Sequence, residues 1–387
     1  MNRKELGVTG ALAAVFSLRL LGLFMIYPVF EAYARGLAGA NPYLIGEALG
    51  IYGLTQGLLQ IPFGLASDRF GRKPLIVFGL LLFIIGSAVA GYSDTIAGVI
   101  FGRALQGAGA VGSVILALAA DLTIEANRTK AMALIGITIG ASFLIALVAG
   151  PAVAALIGVP GIFWLMVVLG GLGIVVTLVA VPTPRRLEVQ REAETVPALL
   201  GAVLRNPALL GFNVGIFVLH AILTASFLIL PGLLRTTLGV APRNDWMVYI
   251  GILLISVAVM AAALGGAQRF RQMPAVFLGA VAAIFASQVL LYTGAQNATA
   301  LIAALVLFFS AFNILEASLP SLISITAPRQ AKGTAMGVYS SLQFLGIFAG
   351  GVLGGFAFQQ GGAVSVMLLT GGLALIWLVA ALVLRRT

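Results

Sequence analysis

Two ionisable side chains lie deep inside long apolar stretches of the sequence, where they could bind and release a proton. Glu316 is the only acidic residue well inside such a stretch, about 10 residues or roughly 15 Å of helix from its end. Burial in an apolar interior disfavours an ionised glutamate, so its neutral form becomes accessible. His220 lies about 13 residues into another stretch, and histidine titrates near neutral pH. We therefore predict a proton site of Glu316 and His220; the alternative for His220 is a buried ring bonded to a backbone carbonyl.

Two arginines, Arg19 and Arg103, also fall inside apolar stretches, where a cation needs a partner or water. Arg19 could neutralise an anionic ligand, pair with a carboxylate, or bind backbone groups freed near Pro28. No partner for either arginine is visible in the sequence, and a structural role stays open for both. We place them with Glu316 and His220 as candidates for proton coupling.

Polar side chains at helical spacing could line a cavity for a small molecule. Tyr52, Gln56 and Gln60 recur every four residues along one apolar stretch. Further polar groups and aromatic walls would come from other stretches: Asn313, Tyr339, Gln343, Phe24, Tyr27, Phe217 and Phe227. An apolar pocket with a few polar groups suits an amphiphilic compound. The alternative is that the aromatic rings only face lipid or neighbouring helices.

The elements that position these residues are predicted to be membrane helices. Of 387 residues, 61% are hydrophobic and only 9% are charged, with a mean hydropathy of +1.12, which excludes a water-soluble globular fold. The chain has no cysteine and one histidine, so thiol catalysis, disulfides and cysteine-ligated metals are excluded. We predict an all-α polytopic membrane protein that is no enzyme and needs no cofactor or metal.

Turn-rich and charged segments divide the chain into twelve hydrophobic spans, each long enough to cross a bilayer. Glycine-rich breaks at 158–161, 294–297 and 359–362 divide neighbouring spans that have no charged residue between them. An even number of spans puts both termini on one side of the membrane. The spans are approximately 10–34, 44–67, 74–92, 96–120, 131–157, 161–181, 207–233, 245–267, 274–294, 298–325, 333–358 and 362–384.

The net charge of +10 is explained mostly by topology, because loop lysines and arginines orient membrane proteins. Seventeen of the 22 basic residues lie on the side that carries both termini, which predicts cytoplasmic termini and no role in nucleic-acid binding. These seventeen are Arg3, Lys4, Arg69, Arg72, Lys73, Arg128, Lys130, Arg185, Arg186, Arg191, Arg205, Arg269, Arg271, Arg329, Lys332, Arg385 and Arg386. The opposite side carries Arg35, Arg235 and Arg243.

The chain is predicted to consist of two related halves, residues 1–184 and 207–387, joined by a polar cytoplasmic linker at 185–206. Four residues of the third span recur 200 positions later in the ninth: Pro74, Gly79, Ser87 and Tyr92 match Pro274, Gly279, Ser287 and Tyr292. Duplicated helical halves with a polar site between them are the architecture of secondary transporters.

Glycine series in the second and eleventh spans predict close helix packing, since small residues let membrane helices approach. They comprise Gly46, Gly50, Gly53 and Gly57 in one span and Gly346, Gly350 and Gly354 in the other.

The loop after the second span reads Gly64-Leu65-Ala66-Ser67-Asp68-Arg69-Phe70-Gly71-Arg72-Lys73-Pro74. It resembles motif A of the major facilitator superfamily. The fourth span contains Arg103-x-x-Gln106-Gly107-x-Gly109-Ala110, which is similar to motif B of that family. The first span has Leu21-Gly22 followed by Pro28-Val29, which resembles a motif of 12-helix drug:proton antiporters.

Gly150-Pro151 in the fifth span is similar to part of the antiporter motif C, although Ala154-Ala155 stand where that motif usually has glycines. Nearly the whole chain resembles the YajR group of bacterial efflux transporters. Members of that group can carry a small C-terminal domain, which we expect this chain, ending directly after the twelfth span, to lack. The resemblance implies twelve transmembrane helices in two pseudo-symmetric six-helix halves, in a bacterial inner membrane, and a role of Arg103 in proton transfer.

Motif A is implied by the same resemblance to act as a cytoplasmic gate. Asp68 would pair with the start of the eleventh helix near Gly333, and the loop arginines would bridge to Asp121 at the end of the fourth. These contacts would latch the outward-open state, in which the cytoplasmic side is closed. The gate residues are predicted to be Gly64, Asp68, Arg69, Gly71, Arg72, Lys73 and Asp121. The alternative is that this basic loop only sets topology.

The leading functional expectation is proton-coupled efflux, by antiport, of small hydrophobic or amphiphilic compounds through alternating access. The alternative is a symporter or facilitator for a small metabolite such as a sugar or organic acid. A channel is disfavoured because the sequence has no ring of charges or carbonyl filter. The expected partners are a small-molecule substrate, protons and the lipid bilayer, with the protein as a monomer.

Overall fold

The computed structural model describes residues 1–183, 199–241, 244–270 and 272–384. Most of the predicted linker lies outside these ranges, as do seven of the basic residues used above for topology: Arg185, Arg186, Arg191, Arg243, Arg271, Arg385 and Arg386. The structural statements below refer to the described residues.

The described residues form fourteen α-helices and one short 3₁₀-helix, Arg329–Ala331. Nine of their apolar helical segments are long enough to cross a membrane. Each predicted span coincides with one helix, with two consecutive helices, or with one arm of a long helix, which confirms the predicted helical fold class. In order the helices are α1 (Arg3–Met25), α2 (Tyr27–Ala34), α3 (Pro42–Phe70), α4 (Arg72–Tyr92), α5 (Ile96–Ala108), α6 (Gly112–Asp121), α7 (Glu125–Val179), α8 (Leu200–Arg205), α9 (Pro207–Ser226), α10 (Leu230–Leu238), α11 (Asp245–Phe270), α12 (Met273–Gly294), α13 (Ala298–Thr326) and α14 (Lys332–Leu384).

The two longest helices, α7 and α14, each contain a sharp break and so supply two spans apiece. Gly158 has φ 71° and ψ 173° inside α7, and Gly362 has φ 64° and ψ −151° inside α14. These left-handed φ values favour glycine, which has no Cβ to clash with the backbone. Both breaks fall in the glycine-rich segments that the sequence marks as span boundaries.

The first, fourth and seventh spans are each split into two consecutive helices, which the sequence did not indicate. Pro28 lies in the first turn of α2 and Pro231 in the first turn of α10, where the missing N–H of proline is tolerated. The break between α5 and α6 contains Gly109, where an added Cβ would lie 2.1 Å from the carbonyl oxygen of Gly79. These spans are therefore bent where they face the interior of the bundle.

Helices α1 to α7 are here called the N-terminal half and α8 to α14 the C-terminal half; the surface where α3 meets α14 is called the seam. A Cβ added at Gly46 would lie 2.1 Å from the carbonyl oxygen of Gly351, and one added at Gly53 would lie 2.3 Å from the carbonyl oxygen of Phe344. The glycine series thus brings the two backbones into direct contact, as predicted. The predicted glycines of α14 pack against α9 instead. Gly346 approaches the carbonyl oxygen of Phe217 in α9 in the same way.

The end of the bundle that carries Arg3 and Gly71 is called proximal, and the end that carries Arg35 and Gly239 distal. The halves meet closely toward the distal end. The rings of Tyr27 and Phe227 lie 5.3 Å apart, and the hydroxyl of Tyr27 is 3.5 Å from that of Thr224. All three residues are fully buried. The distal side of the interior is therefore closed in this structure.

The close backbone contact at the seam predicts a specific cost for enlarging Gly53. Gly53→Ala should lower the thermal unfolding temperature of the detergent-purified protein, because overpacking costs about 1 to 3 kcal/mol where the opposing atom is backbone. Gly251→Ala is the matched control, since nothing lies within 4 Å of a Cβ added there. Equal unfolding temperatures for the two variants would contradict the described seam.

Candidate proton and substrate site

The amide of Gln343 connects Glu316 with His220 at the centre of the C-terminal half. Its Nε2 donates to Glu316 Oε1 at 2.9 Å and lies 3.0 Å from His220 Nε2. Helices α14, α13 and α9 supply one residue each. The structure thus brings together two predicted proton-coupling residues and one predicted cavity residue.

The hydrogen bonds around His220 define its neutral form. An amide nitrogen can only donate, so Nε2 of the ring must accept from Gln343. The ring proton is then on Nδ1, which is 3.2 Å from the carbonyl oxygen of Ile216. His220 is therefore bonded to a backbone carbonyl, as the alternative from the sequence expected, and it also contacts Gln343.

Glu316 keeps one oxygen free for a proton. Its Oε2 has no hydrogen-bond partner and lies 3.8 Å from His220 Nε2. The side chain of Glu316 is 28% exposed, whereas that of His220 is 2% exposed. A proton on Oε2 could be donated to His220 Nε2 only in place of the hydrogen bond from Gln343, because this nitrogen has one lone pair. Nearby, the hydroxyl of Tyr339, one turn before Gln343, and the amide nitrogen of Asn313, one turn before Glu316, also have no partner.

Arg19 lies in a polar chain inside the N-terminal half. Its guanidinium donates to Gln56, whose own amide nitrogen donates to Gln60 Oε1 at 2.8 Å. The guanidinium carbon is 5.5 Å from the ring centre of Tyr52 and 5.9 Å from that of Phe83. Of the three predicted cavity residues of α3, Tyr52 and Gln56 contact Arg19 and Gln60 joins through Gln56; Arg19 is itself 3% exposed.

Arg103 is fully buried and bonded mainly to backbone. Its Nε donates to the carbonyl oxygen of Ala48 at 2.6 Å and its Nη2 to that of Leu49 at 3.2 Å. Gln106, which accepts weakly from Arg103 at 3.4 Å, donates to Ser87 at 2.8 Å. These contacts tie α5 to α3 and α4, all within the N-terminal half, and they give Arg103 a clear structural role. Its part in proton transfer stays a prediction.

A row of aromatic rings crosses from the N-terminal half to the cluster of Glu316, Gln343 and His220. The ring of Phe24 is 4.9 Å from Phe143, which is 5.3 Å from Phe312, which is 5.6 Å from His220. Phe143 and Phe312 are buried and were not singled out by the sequence, because a phenylalanine in an apolar span carries no distinguishing pattern. With Tyr27 and Phe227 these rings form the aromatic layer, which lies on the distal side of Glu316.

Arg72 is the centre of the motif A cluster at the proximal end. Its Nε is 3.1 Å from Asp121 Oδ2, its Nη1 donates to Ser67 at 2.6 Å, and it also pairs with Asp68. The Arg72 side chain is 4% exposed. The arrangement shows the contact with Asp121 that the resemblance implied, and it joins α3, α4 and α6.

The other motif A residues have separate roles in shaping this turn. Gly71 has φ 93°, a conformation that favours glycine. Lys73 donates to the carbonyl oxygen of Val181 at 2.7 Å, which places its charge at the carboxyl end of α7. Gly64 packs against Ser113, while Arg69 is exposed and lies over the ring of Phe70. Contact of Asp68 with the start of α14 stays a prediction.

The partial motif C marks a close crossing of α7 and α1. An added Cβ at Gly150 would lie 2.1 Å from the carbonyl oxygen of Met25, the last residue of α1. Pro151, within the same helix, has no N–H to donate. These two residues therefore support the bend between α1 and α2.

A buried carboxylate near the distal end was not among the predicted site residues. Asp245, the first residue of α11, is fully buried, and its Oδ2 lies 3.6 Å from Arg235 Nη2. In the N-terminal half, Glu31 is also buried and pairs with Arg35, 200 positions before Arg235. No sequence pattern distinguishes Asp245, because charges near span ends are ordinary.

Comparison with known proteins supplies the family context of this geometry. A sequence model of the Major Facilitator Superfamily matches residues 12–351. The inner membrane transport protein YajR of Escherichia coli (strain K12) is 44% identical over 386 residues, which cover 100% of this chain and 85% of that protein.

Two solved structures show the same fold. A bacterial homologue of the human lysosomal transporter Spinster, in an inward-facing and unoccupied conformation, gives a TM-score of 0.73 at 15% identity and 98% coverage of each chain. A D-xylose–proton symporter gives a TM-score of 0.75 at 14% identity and 97% coverage of each chain.

The buried position of Arg72 predicts a large effect of removing its charge. Arg72→Gln should destabilise the protein by about 3 to 5 kcal/mol, because it leaves the carboxylates of Asp68 and Asp121 without their cation. Arg69→Gln, in the same loop but exposed, should change stability by no more than about 1 kcal/mol. Chemical unfolding in detergent measures both. A similar effect of the two substitutions would show that the buried cluster is not formed.

Proposed function

Because the chain belongs to the Major Facilitator Superfamily, a family of membrane transporters and not enzymes, we propose that it exports small hydrophobic or amphiphilic compounds in exchange for protons. The motif resemblance to the YajR group is confirmed by the identity with the Escherichia coli protein. The chain is a multi-pass protein of the bacterial inner membrane. We place its proximal end, with both termini, in the cytoplasm on the distribution of basic residues.

The observation that carries this proposal is the hydrogen-bonding of Glu316. When the carboxyl is ionised, Gln343 stabilises it by donating to Oε1. When Oε2 is protonated, it could donate to His220 Nε2, 3.8 Å away, if Gln343 gives up that nitrogen, which has one lone pair. Both protonation states therefore have a partner inside the bundle. A group that binds and releases a proton within a membrane needs such partners, because an unpaired polar group in an apolar interior is costly.

Alternating access is supported by the packing of the two halves. The distal end is closed by the aromatic layer, while Glu316 retains partial exposure on the proximal side of that layer. Because the distal side is closed, we propose that a proton leaving Glu316 in this conformation goes toward the cytoplasm. Rocking of the halves about the glycine contacts of α3 and α14 would close the proximal side and open the distal side.

The motif A cluster is proposed to act as the latch of the outward-open state. Arg72 holds Asp68 in place at the end of α3, close to the proximal end of the seam. There the carboxylate could reach the N-terminal end of α14, where a negative charge gains about 0.3 to 1 kcal/mol from the helix dipole. The cavity residues and the linker keep the roles proposed from the sequence, and the protein is proposed to act as a monomer.

A symporter for a small metabolite is the second candidate. The polar groups of Gln56, Gln60 and Asn313 would suit a hydroxylated ligand as well as an amphiphilic one. Symport and antiport use the same proton site and differ in the direction of proton movement relative to substrate. A direct flux measurement therefore distinguishes them.

Proton movement in proteoliposomes tests the proposed function. A panel of amphiphilic compounds and sugars is added to vesicles that contain a pH-sensitive dye, and any compound that changes lumenal pH is retained. Efflux by antiport predicts proton movement opposite to the substrate, and symport predicts movement with it. Glu316→Gln should reduce the proton flux at least about tenfold, because an amide cannot exchange the proton.

Glu125→Gln is the matched control for Glu316→Gln, since Glu125 is exposed at the start of α7. It should transport like the unmodified protein. Full proton-driven transport by Glu316→Gln would rule out the proposed proton site, and facilitated transport without any proton movement would rule out coupling altogether.

The latch predicts a change in accessibility when Asp68 loses its charge. Asp68→Asn should depopulate the outward-open state, so a cysteine placed under the distal closure should react more slowly with a membrane-impermeant maleimide. Thr224→Cys provides that probe, because Thr224 is buried against Tyr27 and the chain has no cysteine of its own. Asp94→Asn, in an exposed distal turn, is the control. Unchanged labelling and unchanged transport for Asp68→Asn would contradict the latch.

A further inference from the structure

We propose that the transported compound is an organic anion whose carboxylate binds Arg19 and Tyr52; this rests on the proposed transport function and specifies its substrate class. The proposal follows from the charges and the unused hydrogen-bond donors in the N-terminal half.

Arg19 is a buried cation with incomplete compensation. Its described hydrogen-bond acceptor is the neutral amide of Gln56, and its Nε has no partner. The ion pairs of the described residues do not include Arg19. A guanidinium buried without a carboxylate is unfavourable, because neutral partners replace only part of its hydration. An anion would supply the missing charge.

Tyr52 adds a second unused donor beside the same guanidinium. Its hydroxyl is fully buried and has no hydrogen-bond partner. The guanidinium of Arg103 also lies beside this ring, 5.8 Å from its centre, while its own donors are occupied by carbonyl oxygens. The side chains around Tyr52 therefore combine two positive charges with donors that lack acceptors. A carboxylate, which only accepts hydrogen bonds, complements both properties.

The position of Tyr52 at the seam would let a transported compound reach these side chains. Its ring lies 6.2 Å from that of Phe344 across the seam, so separation of α3 from α14 would uncover it. Phe24 follows Arg19 by five residues, roughly 7.5 Å along α1, and begins the aromatic layer. An amphiphilic anion could therefore place its charge at Arg19 and its apolar body against aromatic rings.

The same features disfavour ligands of other charge. A cationic head group would meet two buried guanidiniums, and like charges repel strongly in an apolar interior. A neutral head group would leave Arg19 uncompensated.

Export of an anion is also favoured by a membrane potential that is negative inside. One proton entering per anion leaving moves two positive charges inward.

Binding of matched head groups tests this inference on the full-length, detergent-purified protein. Three apolar bodies, naphthyl, decyl and phenylpropyl, are each prepared as carboxylate, primary amide and primary amine, and their dissociation constants are measured by calorimetry. At least one carboxylate should bind about tenfold or more tightly than its amide, and more tightly still than its amine. If no carboxylate in the panel binds more tightly than its amide, the inference is wrong.

Variants assign that preference to the proposed pocket. Arg19→Gln should abolish the preference for carboxylate over amide, Arg19→Lys should retain part of it, and Tyr52→Phe should weaken it severalfold without changing the shape of the pocket. Arg205→Gln, which removes an exposed arginine, is the control. If Arg19→Gln does not fold, Arg19→Lys and Tyr52→Phe carry the test. An undiminished preference in both variants would place the anion elsewhere and overturn the proposal.

Proton flux with the same compounds separates this inference from the proposed function. Glu316-dependent proton movement with amides or amines, but not with carboxylates, would reject the anion while leaving proton-coupled transport intact. Arg19-dependent binding of a carboxylate without proton movement for any compound would keep the anion site and reject proton coupling.

Discussion

Hydrocarbon cannot solvate an ionic side chain, so each charge inside this bundle depends on groups that the protein itself provides. Arg103 meets the requirement with two carbonyl oxygens of α3, and Arg72 meets it with carboxylates from two helices. Glu316 has a single donor, Gln343, and Arg19 has a single neutral acceptor. The charges with several hydrogen-bond partners hold helices together, whereas those with a single partner are the ones proposed to take up a proton or an anion.

Backbone contact at the seam is the second condition for function. Gly46 and Gly53 let α3 touch α14 without intervening side chains, and the glycines of α14 do the same toward α9. Side chains pack around these contacts, as Tyr52 does against Phe344, so the proposed rocking would have to rearrange them. The breaks at Gly109 and beside Pro28 and Pro231 bend the spans that line the interior. Tight packing and the proposed rocking would therefore depend on the same residues.

The sequence was sufficient for features determined by composition or by local chemistry. It indicated the breaks at Gly158 and Gly362 because glycine clusters interrupt otherwise uncharged spans, and it indicated the motif A turn because its residue types are distinctive. It could not identify Phe143 and Phe312, whose role depends on a contact between α7 and α13, helices far apart in the chain. Gln343 was expected to line a cavity, but its bridging of Glu316 and His220 depends on where three separate helices meet.

The uneven distribution of interior charge suggests how the two proposed sites could communicate without touching. The N-terminal half contains Arg19 and Arg103, and the C-terminal half contains Glu316, so a conformation that brings the halves closer would let an ionised Glu316 attract the arginines. In an apolar medium such an attraction acts over longer distances than in water. Protonation of Glu316 removes one partner of this attraction, and an anion at Arg19 compensates the other. Either event would loosen the hold between the halves, so proton and substrate would act on one conformational equilibrium through the same electrostatic term.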